Sequence, residues 1–282
     1  MKTSCPKHIL PGVIALLAFA IHASAHGKDP QPIIVAHRGA SAYAPENTLA
    51  AFELAWKLGA DGAEGDFRLT SDGQIVCCHD ETTGRTAGEQ LVVAESTLAS
   101  LSTLDVGVWK GERFRGERIQ TLGDVLATVP SGKLFFIELK GGPEIVPPLV
   151  RTLRKSGLPV DQIRVIAFDK EVVRAVKQDL PDQEAFWLSA LRQADDGSWQ
   201  PSLDELIATA LEIGADGLDL KGVPEVIDAA FVNKCHSAGL SVHTWTVDDT
   251  EAGRALATAG VLSITTNRPD TIRTALETGA SD

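Results

Sequence analysis

The sequence predicts an α/β protein, a (β/α)8 TIM barrel with a short insertion after the second strand. Three observations carry this. Strand-like and helix-like segments alternate along nearly the whole chain, eight strand segments can be counted, and 282 residues are enough for one closed barrel. An open doubly wound sheet would more often hold fewer strands. Short runs rich in β-branched and aromatic residues fall at 33–36, 62–69 with 74–79, 133–140, 163–168, 184–189, 217–221, 240–247 and 263–266. Helix-period segments fall between most of them, at 47–58, 145–156, 170–179, 203–213, 225–238, 250–259 and 271–278. Gly59-Ala60-Asp61-Gly62 and Gly214-Ala215-Asp216-Gly217 each read as a glycine C-cap leading straight into a strand. The segment 80–121 has no clear strand and is rich in Gly, Thr and charge, so it is expected as the insertion, bearing on the mouth of the barrel.

Ahead of the barrel, residues 1–25 carry Lys2 and Lys7, an apolar stretch at 9–21 and then Ala23-Ser24-Ala25. That is the form of a signal peptide cleaved before His26. The apolar stretch is short of the ~20 residues that span a bilayer, so no stable membrane insertion is expected after cleavage. The expected mature domain is 26–282, periplasmic or secreted. The formal net charge is −12, which leaves no basic face for a nucleic-acid backbone. Cys77, Cys78 and Cys235 have no metal-ligand spacing, and adjacent strand residues point to opposite faces, so all three read as small buried residues.

The chemistry collects at the ends of predicted strands. Residues i and i+2 of a strand share a face, so Glu64 and Asp66 project two carboxylates into one space, and Glu138 and Lys140 repeat the arrangement. Either pair alone could be a solvated strand end; together they bring three carboxylates to the C-terminal face of the barrel, where repulsion calls for a cation. All-oxygen ligands suit Ca2+ or Mg2+. His37 closes the first strand and His79 follows the hairpin after Asp66, so the same place is flanked by two groups able to exchange protons. Arg38 offers a fork of donors for a phosphate, and Lys140 adds a second positive charge. Metal ligands, Arg, Lys and two His point to a phosphate ester.

With these residues in place, the stretches HRGASAYAPENTLAAF (37–52), GADGAEGDFRLTSDGQIVCCHD (59–80), RT (85–86), LDVG (104–107), RIQTL (118–122), IELK (137–140), WTVD (245–248) and TTNRP (265–269) resemble the glycerophosphodiester phosphodiesterase family, of the exported bacterial type. The resemblance implies a barrel enzyme that uses one divalent cation to split glycerophosphodiesters into glycerol 3-phosphate and an alcohol. It makes Glu64, Asp66 and Glu138 the metal ligands and His37 and His79 the acid–base pair. Glu46 and Asn47 would brace Arg38 or complete the metal shell. Trp245 would pack against the glycerol end of the substrate, or serve as a barrel-core aromatic. The chain departs from the family pattern at Gln120, Ala167, Asp248 and Asn267, which leaves the alcohol open.

The nucleophile implied is water, or the substrate's own 2-hydroxyl forming a cyclic phosphate that water later opens, with one His taking a proton and the other giving one. Two other readings fit the same barrel. One is a lysophospholipase D-type enzyme, which would need an apolar rim built from Val106, Val108, Trp109 and Phe114. The other is a non-catalytic exported phosphodiester-binding protein, which would have no use for an acid–base pair.

Overall fold

The computed structural model describes residues 31–278, so the expected signal peptide lies outside the described residues. The first half of the chain gives β1 (Ile33–Ala36), α1 (Leu49–Lys57), β2 (Gly62–Leu69), β3 (Ile75–Cys77), α2 (Gly84–Ala87), α3 (Leu98–Leu101), α4 (Leu122–Leu126), β4 (Leu134–Leu139) and α5 (Val146–Ser156). The second half gives β5 (Ile163–Ala167), α6 (Lys170–Asp179), β6 (Ala185–Ser189), β7 (Arg192–Gln193), β8 (Trp199–Gln200), α7 (Leu203–Ile213), β9 (Gly217–Lys221), α8 (Ala229–Ser237), β10 (Ser241–Trp245), α9 (Thr250–Ala259), β11 (Ser263–Thr266) and α10 (Pro269–Thr278).

Parallel pairing runs β1-β11-β10-β9-β6-β5-β4-β2, and β2 pairs back to β1, which closes an eight-stranded barrel. Closure removes every edge from the parallel sheet. The short β3 folds back antiparallel on β2 and starts the insertion. Side chains alternate along each strand. Ala63, Ile137, Val165, Leu218, Val242 and Ile264 pack outward into the helix layer, while Val35, Phe136, Phe186 and Leu188 cluster inside.

The inner positions stack in layers, as barrel interiors do. Val35, Phe136, Phe186 and His243 form the apolar floor, with the His243 ring stacked on Phe186 at a centroid distance of 4.1 Å. Burial holds His243 down at about 3, so it is neutral here, bonded to Ser263 Oγ at 2.7 Å and Ser241 Oγ at 3.0 Å. Glu64, Ile166, Asp219 and Thr265 come next, then His37, Glu138, Leu188 and Trp245. Polarity therefore rises toward the C-terminal ends of the strands.

Helix boundaries follow their caps. The helix expected at 47–58 starts later, at Leu49, because Asn47 takes a left-handed φ of 60° and Thr48 accepts the N–H of Ala51. The helix expected at 225–238 starts at Ala229, where Asp228 accepts the N–H of Phe231. The last helix starts before the expected 271, at Pro269, a residue suited to a first helical position. The sequence reading has no hairpin at β7–β8; its strands are two residues each and turn through Gly197 at φ 83°.

The insertion buries a small core of its own, centred on Val76, Val93, Leu101, Leu104, Val106 and Ile119. Among the described residues the cysteines, Cys77, Cys78 and Cys235, are buried free thiols. Among the described residues no helix is long and apolar enough to cross a membrane.

Phe136 is 1% exposed and meets both Phe186 and His243 in the floor. Phe136→Ala should cost roughly 3–5 kcal/mol in urea unfolding; a loss below about 1 kcal/mol would show that the floor is not a packed layer.

Candidate active site

The site begins with the register of β2 and β4. Glu64 and Asp66 share the inner face of β2, and the pairing sets Asp66 opposite Glu138 on β4. The three carboxylates offer ligand oxygens that all lie within 4.8 Å of one another, with every residue buried. Such a group is unstable without compensation, and the chain supplies it from two sides. Lys140 Nζ reaches Asp66 Oδ1 at 3.0 Å and also contacts Glu138 Oε1. Arg38 Nε lies 3.1 Å from Asp66 Oδ2, and the Arg38 backbone N–H donates to Glu64 Oε2 at 2.8 Å.

The β1–α1 loop holds Arg38 in that place. Arg38 and Asn47 are the non-glycine residues with positive φ among the described residues, at 53° and 60°. Strain of this kind persists only where surroundings fix it. The Asn47 backbone N–H donates to Arg38 O at 3.0 Å, its Nδ2 donates to Asp66 Oδ2 at 2.9 Å, and its Oδ1 accepts the Asp66 N–H at 3.1 Å. Gly39 has φ 76°, and a Cβ there would meet the Ala51 carbonyl carbon at 2.5 Å, so the third residue of His-Arg-Gly has to be glycine. Asn47 thus braces Asp66. Glu46 accepts from Arg38 Nη1 at 2.8 Å.

Charge separates the three carboxylates. Burial, then the negative charges of Asp66 and Glu138, push Glu64 well above the carboxylate range. Burial and Asp66 push Glu138 up to about 7. Burial also works to raise Asp66, but Lys140 and Arg38 outweigh it and hold Asp66 well below its usual value. Glu64 Oε1 is buried with no hydrogen-bond donor, and neither Asp66 Oδ1 nor Glu138 Oε1 makes an aligned hydrogen bond. A buried oxygen left open on Glu64, beside two carboxylate oxygens whose one cationic partner is Lys140, fits a hard divalent cation.

The two histidines line the same cavity as this cluster, with different partners. His37 Nδ1 lies 2.8 Å from Asn267 Oδ1, and Asn267 Nδ2 donates to Asp248 Oδ2 at 2.5 Å. Because that amide nitrogen is committed to Asp248, its oxygen accepts and His37 carries its proton on Nδ1, leaving Nε2 as an acceptor. Burial, then the Arg38 charge, lower the His37 pKa. His79 Nδ1 instead lies 2.6 Å from the carboxylate of Asp80. Arg85 spans the gap, donating from Nε to Asp80 Oδ2 at 2.6 Å and from Nη1 and Nη2 to Glu46 at 2.9 and 2.8 Å. The Arg85 hydrogen bond pulls Asp80 down to about 2.

His37, Arg38, Glu64, His79, Glu138, Lys140 and Trp245 line one cavity of about 160 Å³, with Phe168, Leu188 and Thr265. Every site residue read from the sequence therefore lies in this cavity or directly behind it. Trp245 stands against Phe168, ring centroids 5.4 Å apart, and donates from Nε1 to Asp219 O at 3.0 Å. Arg85, Asp248, Asn267, Phe168, Leu188 and Thr265 had no assigned role in the sequence reading. Phe168 and Leu188 could have been found from their inward places at strand ends, and Arg85 from its place in the quoted Arg-Thr pair.

A closed barrel with an acidic cluster, a lysine and two histidines at its C-terminal mouth defines a barrel enzyme of the hydrolytic, phosphate-ester class. The Glycerophosphoryl diester phosphodiesterase family matches residues 37–271, and the chain belongs to that family. It is 34% identical over 248 residues to a glycerophosphodiester phosphodiesterase of Caldanaerobacter subterraneus, covering 85% of this chain and 96% of that one. It is 29% identical over 279 residues to one of Bacillus subtilis, covering 92% of each. Among solved structures it resembles an Oleispira antarctica phosphodiesterase in complex with the product sn-glycerol-3-phosphate, with a TM-score of 0.77 and 25% identity over 88% of this chain and 97% of that one.

The raised Glu138 pKa has a measurable consequence in metal-free protein. A carboxyl whose folded value exceeds its unfolded value stabilises the fold at low pH and loses that contribution as pH rises through the folded value, here from about 4.5 to about 7. Glu138→Gln cannot titrate, so relative to wild type it should gain stability over that range in the presence of chelator, the histidine contributions cancelling in the comparison. A stability difference that stays flat with pH would contradict the placement of Glu138 beside an ionised Asp66.

Proposed function

We propose that this protein hydrolyses glycerophosphodiesters to glycerol 3-phosphate and an alcohol, with one divalent cation, Ca2+ or Mg2+, held by Glu64, Asp66 and Glu138. The observation that carries the reading is the meeting of this carboxylate cluster with His37 and His79 in one small cavity. The family membership supports the substrate class. A bound cation would neutralise charge on the phosphate oxygens and act there as a Lewis acid.

The remaining work falls to side chains. Arg38 and Lys140 present positive charge to the cavity for the phosphate, supported by Glu46 and Asn47 from behind. Trp245 and Phe168 give an apolar wall where the carbons of a glycerol can rest. His37, bonded to an amide and depressed in pKa, suits removal of the proton from the nucleophile, which is water or the substrate's own 2-hydroxyl. His79, held at Nδ1 by the Asp80 carboxylate, is placed to give a proton to the leaving alkoxide. Asp248, Asn267, Asp80 and Arg85 act through the two histidines as positioning residues.

The lysolipid reading finds less support. Of the four candidates for an apolar rim, Val106 is buried, Val108 and Phe114 are half-buried, and Trp109 alone is exposed. A mere binding protein would leave the acid–base geometry without purpose. The proposal includes export, with residues 1–25 removed as a signal peptide and 26–282 acting in the periplasm or outside the cell.

An assay of glycerol 3-phosphate release from glycerophosphocholine should give turnover that chelator abolishes and added Ca2+ or Mg2+ restores. His37→Ala and His79→Ala should each lower kcat by about 10²–10⁴ while the protein stays folded. Unchanged turnover in chelator, or wild-type kcat in either variant, would overturn the mechanism; cleavage of lysophosphatidylcholine without glycerophosphocholine would overturn the substrate class.

A further inference from the structure

A second cavity of about 370 Å³ opens beside the first and shares His37 and Arg38 with it. Its other walls come from the β1–α1 loop, from Trp109 and Lys110 of the insertion, and from Asp248, Asn267 and Arg268 at the ends of the last two barrel strands. Resting on the phosphodiesterase reading, the shared residues mark where the phosphorus would sit. One ester arm then occupies the enclosed, apolar-walled cavity and the other enters this wider one, whose volume suits a headgroup.

The charges in this second cavity are unevenly matched. Its carboxylates are both engaged: Glu46 by Arg38 and Arg85, and Asp248 by Thr266 Oγ1, the Asn267 N–H and Asn267 Nδ2. Two cations are not matched. Arg268 is exposed, and among the described residues no carboxylate lies within ion-pair range of its guanidinium. Lys110 Nζ donates to the Ser41 carbonyl at 2.7 Å, a neutral partner. The same Nζ stands 5.5 Å from the centre of the Trp109 ring, so the aromatic face that could have taken a quaternary ammonium already has a cation over it. The donors on Asp248 are neutral, so its charge offsets one of these cations; with Arg38, Lys110 and Arg268 against Glu46 and Asp248, the lining still carries one net positive charge in a chain of formal net charge −12.

We propose that this cavity is the subsite for the leaving alcohol, and that Lys110 and Arg268 select alcohols carrying an anionic group of their own over choline. A substrate of that class is bis(glycerophospho)glycerol, in which the alcohol released bears a second phosphodiester. Its extra anion would lie along the Lys110–Arg268 side while the reacting phosphate stays at Arg38. Contacts at an exposed rim are screened by salt, so the preference weakens as ionic strength rises.

The test compares kcat/KM for bis(glycerophospho)glycerol, glycerophosphoglycerol and glycerophosphocholine at low salt, in wild type and in Arg268→Gln and Lys110→Gln. The expected result is a wild-type preference for the anionic substrate that falls by about 3–10-fold in each variant, with glycerophosphocholine turnover unchanged or raised. Arg268→Glu should reverse the order. Equal wild-type kcat/KM for the three substrates, or variants that lower all three alike, would overturn the subsite while leaving the phosphodiesterase reading intact. No turnover of any of them would overturn both.

Discussion

Three carboxylates buried within reach of one another set the terms for everything at the mouth of this barrel. Glu64, Asp66 and Glu138 are brought together by strand periodicity and by the β2–β4 register. Like charges at such spacing, removed from water, repel strongly, so the fold has to answer them. It does so with Arg38 on one side, Lys140 on the other and Asn47 beneath Asp66. The result is a graded cluster, with Asp66 held ionised and Glu64 and Glu138 shifted toward protonation. The divalent cation proposed for this cluster would replace those protons with a stronger and more localised charge.

That constraint also accounts for the strained loop after β1. Arg38 and Asn47 adopt left-handed backbone conformations, Gly39 packs where no Cβ fits, and their hydrogen bonds interlock the His-Arg-Gly and Pro-Glu-Asn-Thr segments. The same loop carries Glu46, which links through Arg85 to Asp80 and so to His79. Neutralising the carboxylates and placing the second histidine are therefore one structural problem, solved by a shared network. The insertion closes it, since Arg85 belongs to α2 and Lys110 reaches back to Ser41.

Much of this was legible in the sequence because it rests on short-range rules. The strand segments were visible from their β-branched runs, and the two i, i+2 pairs, Glu64/Asp66 and Glu138/Lys140, showed which residues face the lumen. The family resemblance supplied what periodicity could not, namely that Trp245, Glu46 and Asn47 belong to the same place. Less legible were features that depend on long-range partners. That His37 is bonded to an amide while His79 is bonded to a carboxylate follows from Asn267 being 230 residues away in the chain. The starts of α1 and α8 were misplaced because a capping side chain overrode helix periodicity. The β7–β8 hairpin was missed because strands of two residues are too short to show a period.

The central claim is that the carboxylate cluster holds one divalent cation, and calorimetric titration of the chelator-treated protein with Ca2+ and with Mg2+ tests it most directly. The account predicts one site per chain, with binding lost in Asp66→Asn and Glu64→Gln and retained in Lys110→Gln, which lies outside the cluster. Unaltered stoichiometry and affinity in both carboxylate variants, or no binding of either ion by a folded and active wild type, would contradict it.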